Sequence, residues 1–404
     1  MTTRPRTQVR VVIAGGGIGG LAAALAVGAH GHHVTVLERQ PELTELGAGI
    51  QLAPNGLHAL DVLGVGAEVR ETAVPMTELR FMDGVSGEHV TSLPLTDGYR
   101  RRFRSPYVVV HRAELHLRLL DACRRQPRIT LRAGAPVAGY AQTATVATAI
   151  LENGERISAD AIIGADGIHS RIRQQMVGDG SPRISGITAY RAVVPMADVP
   201  ARVRRDAVTW WTGPDCHFVH YPISGGTLLN MAGSNADGTD TVFAGVPVQG
   251  DAVRAAMAPL PAVADLLSLA DRWRAWVLLD RPPIDTWTDG RVALLGDAAH
   301  PMLHYAAQGA CQALEDAVVL GDLLGHGGEP VPDVLRRYAE QRRDRTSAVQ
   351  HVSRDSIRLW HAGGDAALTR NRVLREMTDD DLHDAIAWMH APRVRGRHPS
   401  GATR

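Results

Sequence analysis

Short, wholly apolar runs alternate with amphipathic stretches along this chain. Val11-Val12-Ile13-Ala14 runs into Gly15-Gly16-Gly17-Ile18-Gly19-Gly20, and an alanine-rich stretch, Leu21 to Val27, follows. A short apolar run bounded by glycine reads as a strand buried on both faces, and the stretch after it as a helix. His33-Val34-Thr35-Val36-Leu37 predicts a second strand, ending at Glu38. Further apolar strands are predicted at Tyr107 to Val110, Ala161 to Gly164 and Val292 to Leu295. Helical patterns follow: Leu115, Leu119 and Ala122 after His111, and Leu314, Val318 and Leu324 after Gln308. Glu315 and Asp316 fall in early turns of the latter helix, where its dipole favours acids.

Two stretches break the alternation. Residues 76–105 and 185–280 read as strands and turns, with strands at Leu79 to Met82, Val90 to Leu95, Tyr190 to Val194, Val208 to Trp211, His217 to Pro222 and Thr227 to Ala232. A helical interval is expected from Ala252 to Leu269. The expected fold class is therefore α/β (α+β). Residues 1–75, 106–184 and 281–350 form a Rossmann-like GxGxxG domain. Residues 76–105 and 185–280 form an inserted antiparallel-sheet domain that covers a pocket, and 351–404 a C-terminal helical segment. Residues 333–389 are expected as helices with a solvated, arginine-rich face. The tail carrying Arg393, Arg395, Arg397 and Arg404 is expected to be disordered.

The spacing Gly15-x-Gly17-x-x-Gly20 has a mechanical meaning: a tight turn, a close backbone approach to a pyrophosphate, and close packing of helix on strand. Glu38 follows Gly20 at the distance where such folds place the acid that binds ribose hydroxyls. Asp166-Gly167 ends one buried strand and Gly296-Asp297 another, at the sheet edge where α/β proteins bind ligands. Arg112 opens a helix directly after a buried strand, which suits a phosphate or ring contact.

Composition narrows the partners. Lysine plus arginine (43) equals aspartate plus glutamate (43), so nothing points to nucleic acid or an anionic membrane. Cys123, Cys216 and Cys311 are too scattered for a disulfide framework or a zinc site, so no metal is expected and a reducing cytoplasm is. No uninterrupted apolar run is long enough for a transmembrane helix.

The glycine turn with Glu38, the Val110-His111-Arg112 junction, Gly164-Ala165-Asp166-Gly167 and Gly296-Asp297-Ala298-Ala299-His300-Pro301 occur in this order. The set resembles the single-component FAD-dependent aromatic hydroxylases typified by 4-hydroxybenzoate hydroxylase, over about residues 9–350. That resemblance implies FAD held by Gly15, Gly17, Ile18, Gly20, Glu38, Arg39, Gln51, Arg112, Asp166, Asp297, Pro301, Gly309 and Ala310. It also implies NADH or NADPH as reductant, O2 as co-substrate, hydroxylation by a flavin C4a-hydroperoxide, and a homodimer. No second GxGxxG is present, as in this group.

Three local stretches resemble the 3-hydroxybenzoate 6-hydroxylases more closely: Gly47-Ala48-Gly49-Ile50-Gln51, Cys216 to Pro222 with its His217-x-x-x-Tyr221 pair, and Tyr305 to Gln312. The resemblance implies conversion of 3-hydroxybenzoate to 2,5-dihydroxybenzoate (gentisate), with His217, Tyr221, Tyr305 and Gln308 around the substrate and His217, Tyr221 and Gln308 in catalysis. Salicylate, 6-hydroxynicotinate, a larger ring, or a flavin-binding protein without chemistry remain alternatives. On a strand, His217 and Tyr221 point to one face. A phenol titrates near 10 and histidine near 6.5, so His217 is a sensible acceptor for a phenol proton. The tryptophans read as core, and His304 as a pocket candidate.

Overall fold

The computed structural model describes residues 8–44 and 48–394, so Gly47 and the arginines of the tail beyond 394 lie outside the described residues. A six-stranded sheet runs in the spatial order Thr288–Asp289, Val292–Leu294, Ala161–Gly164, Arg10–Ala14, His33–Leu37, Ile129–Arg132. All neighbours are parallel except the Thr288–Asp289 edge. Arg10–Ala14 lies inside the sheet and helices pack nearby, which is why its sequence is uninterruptedly apolar. Helix Ile18–Ala29 packs on helix Gly309–His326. The approach is close: a Cβ at Gly321 would lie 2.6 Å from that of Ala26.

The second sheet has eight strands in the order Ala244–Gln249, Arg272–Asp280, Arg183–Pro195, Leu228–Asn235, Cys216–Ile223, Ala207–Gly213, Glu78–Asp83, His89–Pro94. Every seam is antiparallel except Ala207–Gly213 against Glu78–Asp83, which is parallel. Those two strands come from separate excursions of the chain, so no hairpin dictates their direction.

Several elements differ from the sequence expectation. The interval 252–269 is two short helices, Gly250–Ala256 and Ala264–Leu267, because Pro259 and Pro261 interrupt the backbone ladder between them. Residues 97–103 form a short helix within the stretch read as strands and turns. Helix Val331–Trp360 runs unbroken across position 350, so the division expected there does not fall at an element end. Its arginines are not all solvated. Arg342 and Arg345 bury their guanidinium groups against Glu315, and Arg342 also bonds Asp316. Those ion pairs, beyond the first turn of their helix, account for the two acids better than the helix dipole does.

Candidate active site

A cavity of about 420 Å3 opens between the ends of the parallel strands and one face of the large sheet. Its first wall is built from strand ends and helix starts. Gly15 has φ +109°, and a Cβ there would lie 2.2 Å from the carbonyl oxygen of Ala165. A Cβ at Gly20 would meet the carbonyl of Gly15 at 2.0 Å. At Gly17, which lines the cavity, a Cβ would meet nothing within 4 Å. Two of the three glycines thus serve the fold, and the middle one leaves open space beside the start of helix Ile18–Ala29. That cradle fits a pyrophosphate. Ile18, Gln51, Arg112, Asp297, Gly309 and Ala310 line the same cavity, with Asp297 exposed in its tight turn.

Other residues assigned to the cofactor stand elsewhere. Glu38 accepts from the N–H groups of Gly16 at 2.7 Å and Gln40 at 2.9 Å, bracing the glycine turn from behind. Asp166 does not line the cavity, although its neighbours Ala165 and Gly167 do. Its carboxylate accepts from Ser170 Oγ and from the backbone of Arg171 and Ile172, at the start of helix Arg171–Met176. Arg39 is exposed and outside the cavity, and Pro301 offers its carbonyl to Gln350.

The second wall is the sheet. His217, Val219 and Tyr221 alternate on strand Cys216–Ile223 and line the cavity together. Their cross-strand partners on Leu228–Asn235 are Ser234, Ala232 and Asn230. Gly49, the first residue of strand Gly49–Leu52, donates its N–H to Asn230 Oδ1 at 2.8 Å, and a Cβ there would sit 2.4 Å from the Tyr221 ring. Only glycine permits that approach. Burial pushes the Tyr221 hydroxyl up to about 12, with Arg191 and Gln51 opposing, so it stays protonated at neutral pH.

Gln308 joins the two walls, and its orientation is fixed from outside. Arg342 can only donate, so Gln312 accepts from it through Oε1 at 2.8 Å and turns its amide N–H to Gln308 Oε1 at 2.9 Å. The Glu315 carboxylate accepts from Asn55 Nδ2, which also donates to Gln308 Oε1 at 3.0 Å. With its oxygen claimed twice, Gln308 is left with its amide N–H2 as the unsatisfied, cavity-side group.

Around His217 lies a cluster of neutral groups. His217 Nδ1 and His361 Nε2 are 2.9 Å apart, and the Tyr305 hydroxyl is 3.1 Å from the same His361 nitrogen. His304 bonds Ser234 Oγ and stacks on Tyr305. Burial, then His361 and His304, push His217 well below the usual histidine range. Burial takes His361 down to about 4, with Asp215 pulling the other way. His217 is therefore neutral at neutral pH.

Some lining residues carried no flag in the sequence. Arg191 lines the cavity on strand Arg183–Pro195, with no ion pair among the described residues and its guanidinium over the Trp276 ring. Strand parity with Ala189 was the available signal. Trp210 and Trp360 also line the cavity, besides packing on the core. Among the described residues, no helix is long and apolar enough to cross a membrane.

The FAD binding domain family model matches residues 8–353. The chain is 44% identical over 382 residues to 3-hydroxybenzoate 6-hydroxylase 1 of Aquipseudomonas alcaligenes, covering 94% of this chain and 97% of that one. It is 38% identical to 3-hydroxybenzoate 6-hydroxylase of Polaromonas naphthalenivorans, over 95% of this chain and 96% of that one. Among solved structures, Klebsiella pneumoniae HpxO complexed with FAD and uric acid superposes with a TM-score of 0.81 at 27% identity, covering 95% of this chain and 97% of that one.

Proposed function

The chain belongs to the FAD binding domain family of flavin-dependent aromatic hydroxylases, and from that premise we propose that it converts 3-hydroxybenzoate to 2,5-dihydroxybenzoate. Residues 1–75, 106–184 and 281–350 make the FAD domain in this reading, and 76–105 with 185–280 the substrate sheet. Gly17, Ile18, Arg112, Asp297, Gly309 and Ala310 hold FAD in the cavity, with Gly15, Gly20 and Glu38 shaping the turn beneath it. Bound FAD, reduced by NADH or NADPH, supplies activated oxygen.

The protein supplies orientation and proton handling. The observation that carries the substrate assignment is one cavity with a neutral polar end, His217, Tyr221 and Gln308, and a cation, Arg191. A phenolic carboxylic acid matches both. His217 takes the phenol proton, the Tyr221 hydroxyl and the Gln308 amide donate to the oxygen that becomes negative, and Arg191 meets the carboxylate. Raising electron density on that oxygen activates the ring position para to it, which gives the 2,5-pattern.

NADH consumption by the purified, FAD-loaded protein tests this, with 3-hydroxybenzoate, salicylate, 4-hydroxybenzoate and 6-hydroxynicotinate in parallel and products identified. The expected result is fast oxidation with 3-hydroxybenzoate, gentisate as product and little peroxide. Peroxide alone with 3-hydroxybenzoate, or stimulation by another ring only, contradicts it. The same reading includes a cytoplasmic homodimer, whose mass light scattering checks.

A further inference from the structure

Strand register places Arg191 in a row that crosses the sheet wall of the cavity. Ala232 stands opposite it on Leu228–Asn235, and Val219 stands opposite Ala232 on Cys216–Ile223. His217 and Tyr221 lie two residues either side of Val219 on the same face. Two strand spacings, roughly 10 Å, therefore separate the backbone of the cation from that of the His217–Tyr221 pair. The small side chain of Ala232 keeps the middle of the row low, which leaves a flat ring room between the two ends.

Two like charges press on Arg191. Arg112 lines the same cavity and opposes its charge, adding to the effect of burial, while Tyr221 favours it. Arg274 lies directly opposite Arg191 on strand Arg272–Asp280, an unfavourable pairing. A bulge in the edge strand relieves that pairing. The register of Ala244–Gln249 slips between Ala244 and Val246. Gly245, at φ +67°, turns its carbonyl to accept from Arg274 Nη1 at 2.8 Å. Arg274 is held at the exposed rim, and Arg191 keeps its place in the cavity.

The Trp276 ring supplies the attraction. Trp276 pairs with Ala189 and so is a diagonal neighbour of Arg191 on one face. The Arg191 guanidinium lies over its ring, 5.4 Å from the centroid. Trp276 does not line the cavity itself. A Cβ at Gly245 would come 3.7 Å from its ring edge, so the bulge backs the indole as well as holding Arg274. The form of this contact matters. An acid beside Arg191 would neutralise it and occupy its N–H groups. A ring takes only the face of the guanidinium, and the N–H donors in its plane stay open to a carboxylate.

We propose that Trp276 is a positioning residue for substrate selection: it clamps the face of Arg191 so that the free N–H edge meets the carboxylate of the aromatic ligand. The Gly245 bulge supports it by drawing Arg274 aside. This rests on the reading that a phenolic carboxylic acid binds in the cavity. Selectivity for the acid over an uncharged ring of the same shape then depends on a residue that never touches the ligand.

The test titrates the FAD-loaded protein by calorimetry with 3-hydroxybenzoate and with 3-hydroxybenzamide, its uncharged counterpart. Trp276→Leu is expected to weaken the acid about tenfold and the amide less than about twofold. Trp276→Phe keeps a ring face and is expected to restore most of the acid's affinity. Acid binding at the wild-type level in Trp276→Leu, or equal weakening of acid and amide, overturns the proposal. If Trp276→Leu does not fold, progressively fluorinated tryptophans at position 276 keep the ring's shape while draining charge from its face. The Kd of the acid is then expected to rise with each fluorine while that of the amide holds. A flat or falling Kd for the acid across that series overturns the clamp alone. A wild-type protein that binds the amide as tightly as the acid overturns the carboxylate reading beneath it, a separate result.

Discussion

The molecule buries two clusters of titratable side chains and treats their charge in opposite ways. Arg342 and Arg345 meet Glu315 and Asp316, which in turn hold Asn55, His300 and the Gly296 N–H. Burial alone would raise the Asp316 carboxyl, but His300 and Arg342 hold it down to about 2. The second cluster, His217, His304 and His361 with Tyr305, has imidazoles and no buried carboxylate. Burial drives all three imidazoles down, His304 to about 3. Paired charges make a rigid scaffold whose protonation does not change near neutral pH. Imidazoles without a buried carboxylate beside them stay neutral instead. The first cluster fixes the turn of Asp297 and the amide of Gln308; the second lines the cavity beside them and, in the proposed reaction, takes the phenol proton.

The largest effect is expected from breaking the first cluster. Arg342→Met leaves two buried carboxylates short of a partner and should lower stability by about 3–5 kcal/mol, read by denaturant unfolding. His217→Ala should leave FAD bound and slow hydroxylation by about 100-fold or more; a wild-type product rate would remove its proton role. Acid separates the clusters next. The histidines are neutral when folded, whereas the unfolded chain takes up protons below 6.5. Their contribution is full above 6.5 and is lost as pH falls through about 4 for His361, on the order of 1–3 kcal/mol. The Asp316 contribution is present above 3.8 and fades only toward about 2. Unfolding measured from neutral pH to about pH 4 should therefore show a slope that His361→Gln reduces and Asp316→Asn does not. The smallest effect joins the clusters: Asn55→Leu frees the Gln308 amide to turn, and KM for the aromatic should rise a few-fold, about 1 kcal/mol, with FAD retention unchanged.

The parallel sheet was legible because both its faces are covered, so Val11 to Ala14 and Val292 to Leu294 are plain apolar runs. The glycine turn was legible because Gly15 and Gly20 stand where a Cβ would strike backbone and Gly17 leaves space beside the helix start. Parity on one strand was enough to put His217 and Tyr221 on one face. What pattern does not carry is partnership across long separations. His361 lies 144 residues from His217, and Arg342 lies 27 from Glu315 on the next helix. A cationic face on an amphipathic helix looks alike whether water or buried carboxylates receive it. The contacts of Asp166 were hidden for a related reason: its carboxylate accepts from Ser170 Oγ and the Arg171 N–H, at the start of a helix capped by Ser170.

The most direct test of the neutral imidazole cluster is nitrogen NMR of the FAD-loaded protein with labelled histidine, followed through neutral pH. His217 is expected to remain uncharged throughout. A His217 that is charged at neutral pH would contradict the neutral cluster.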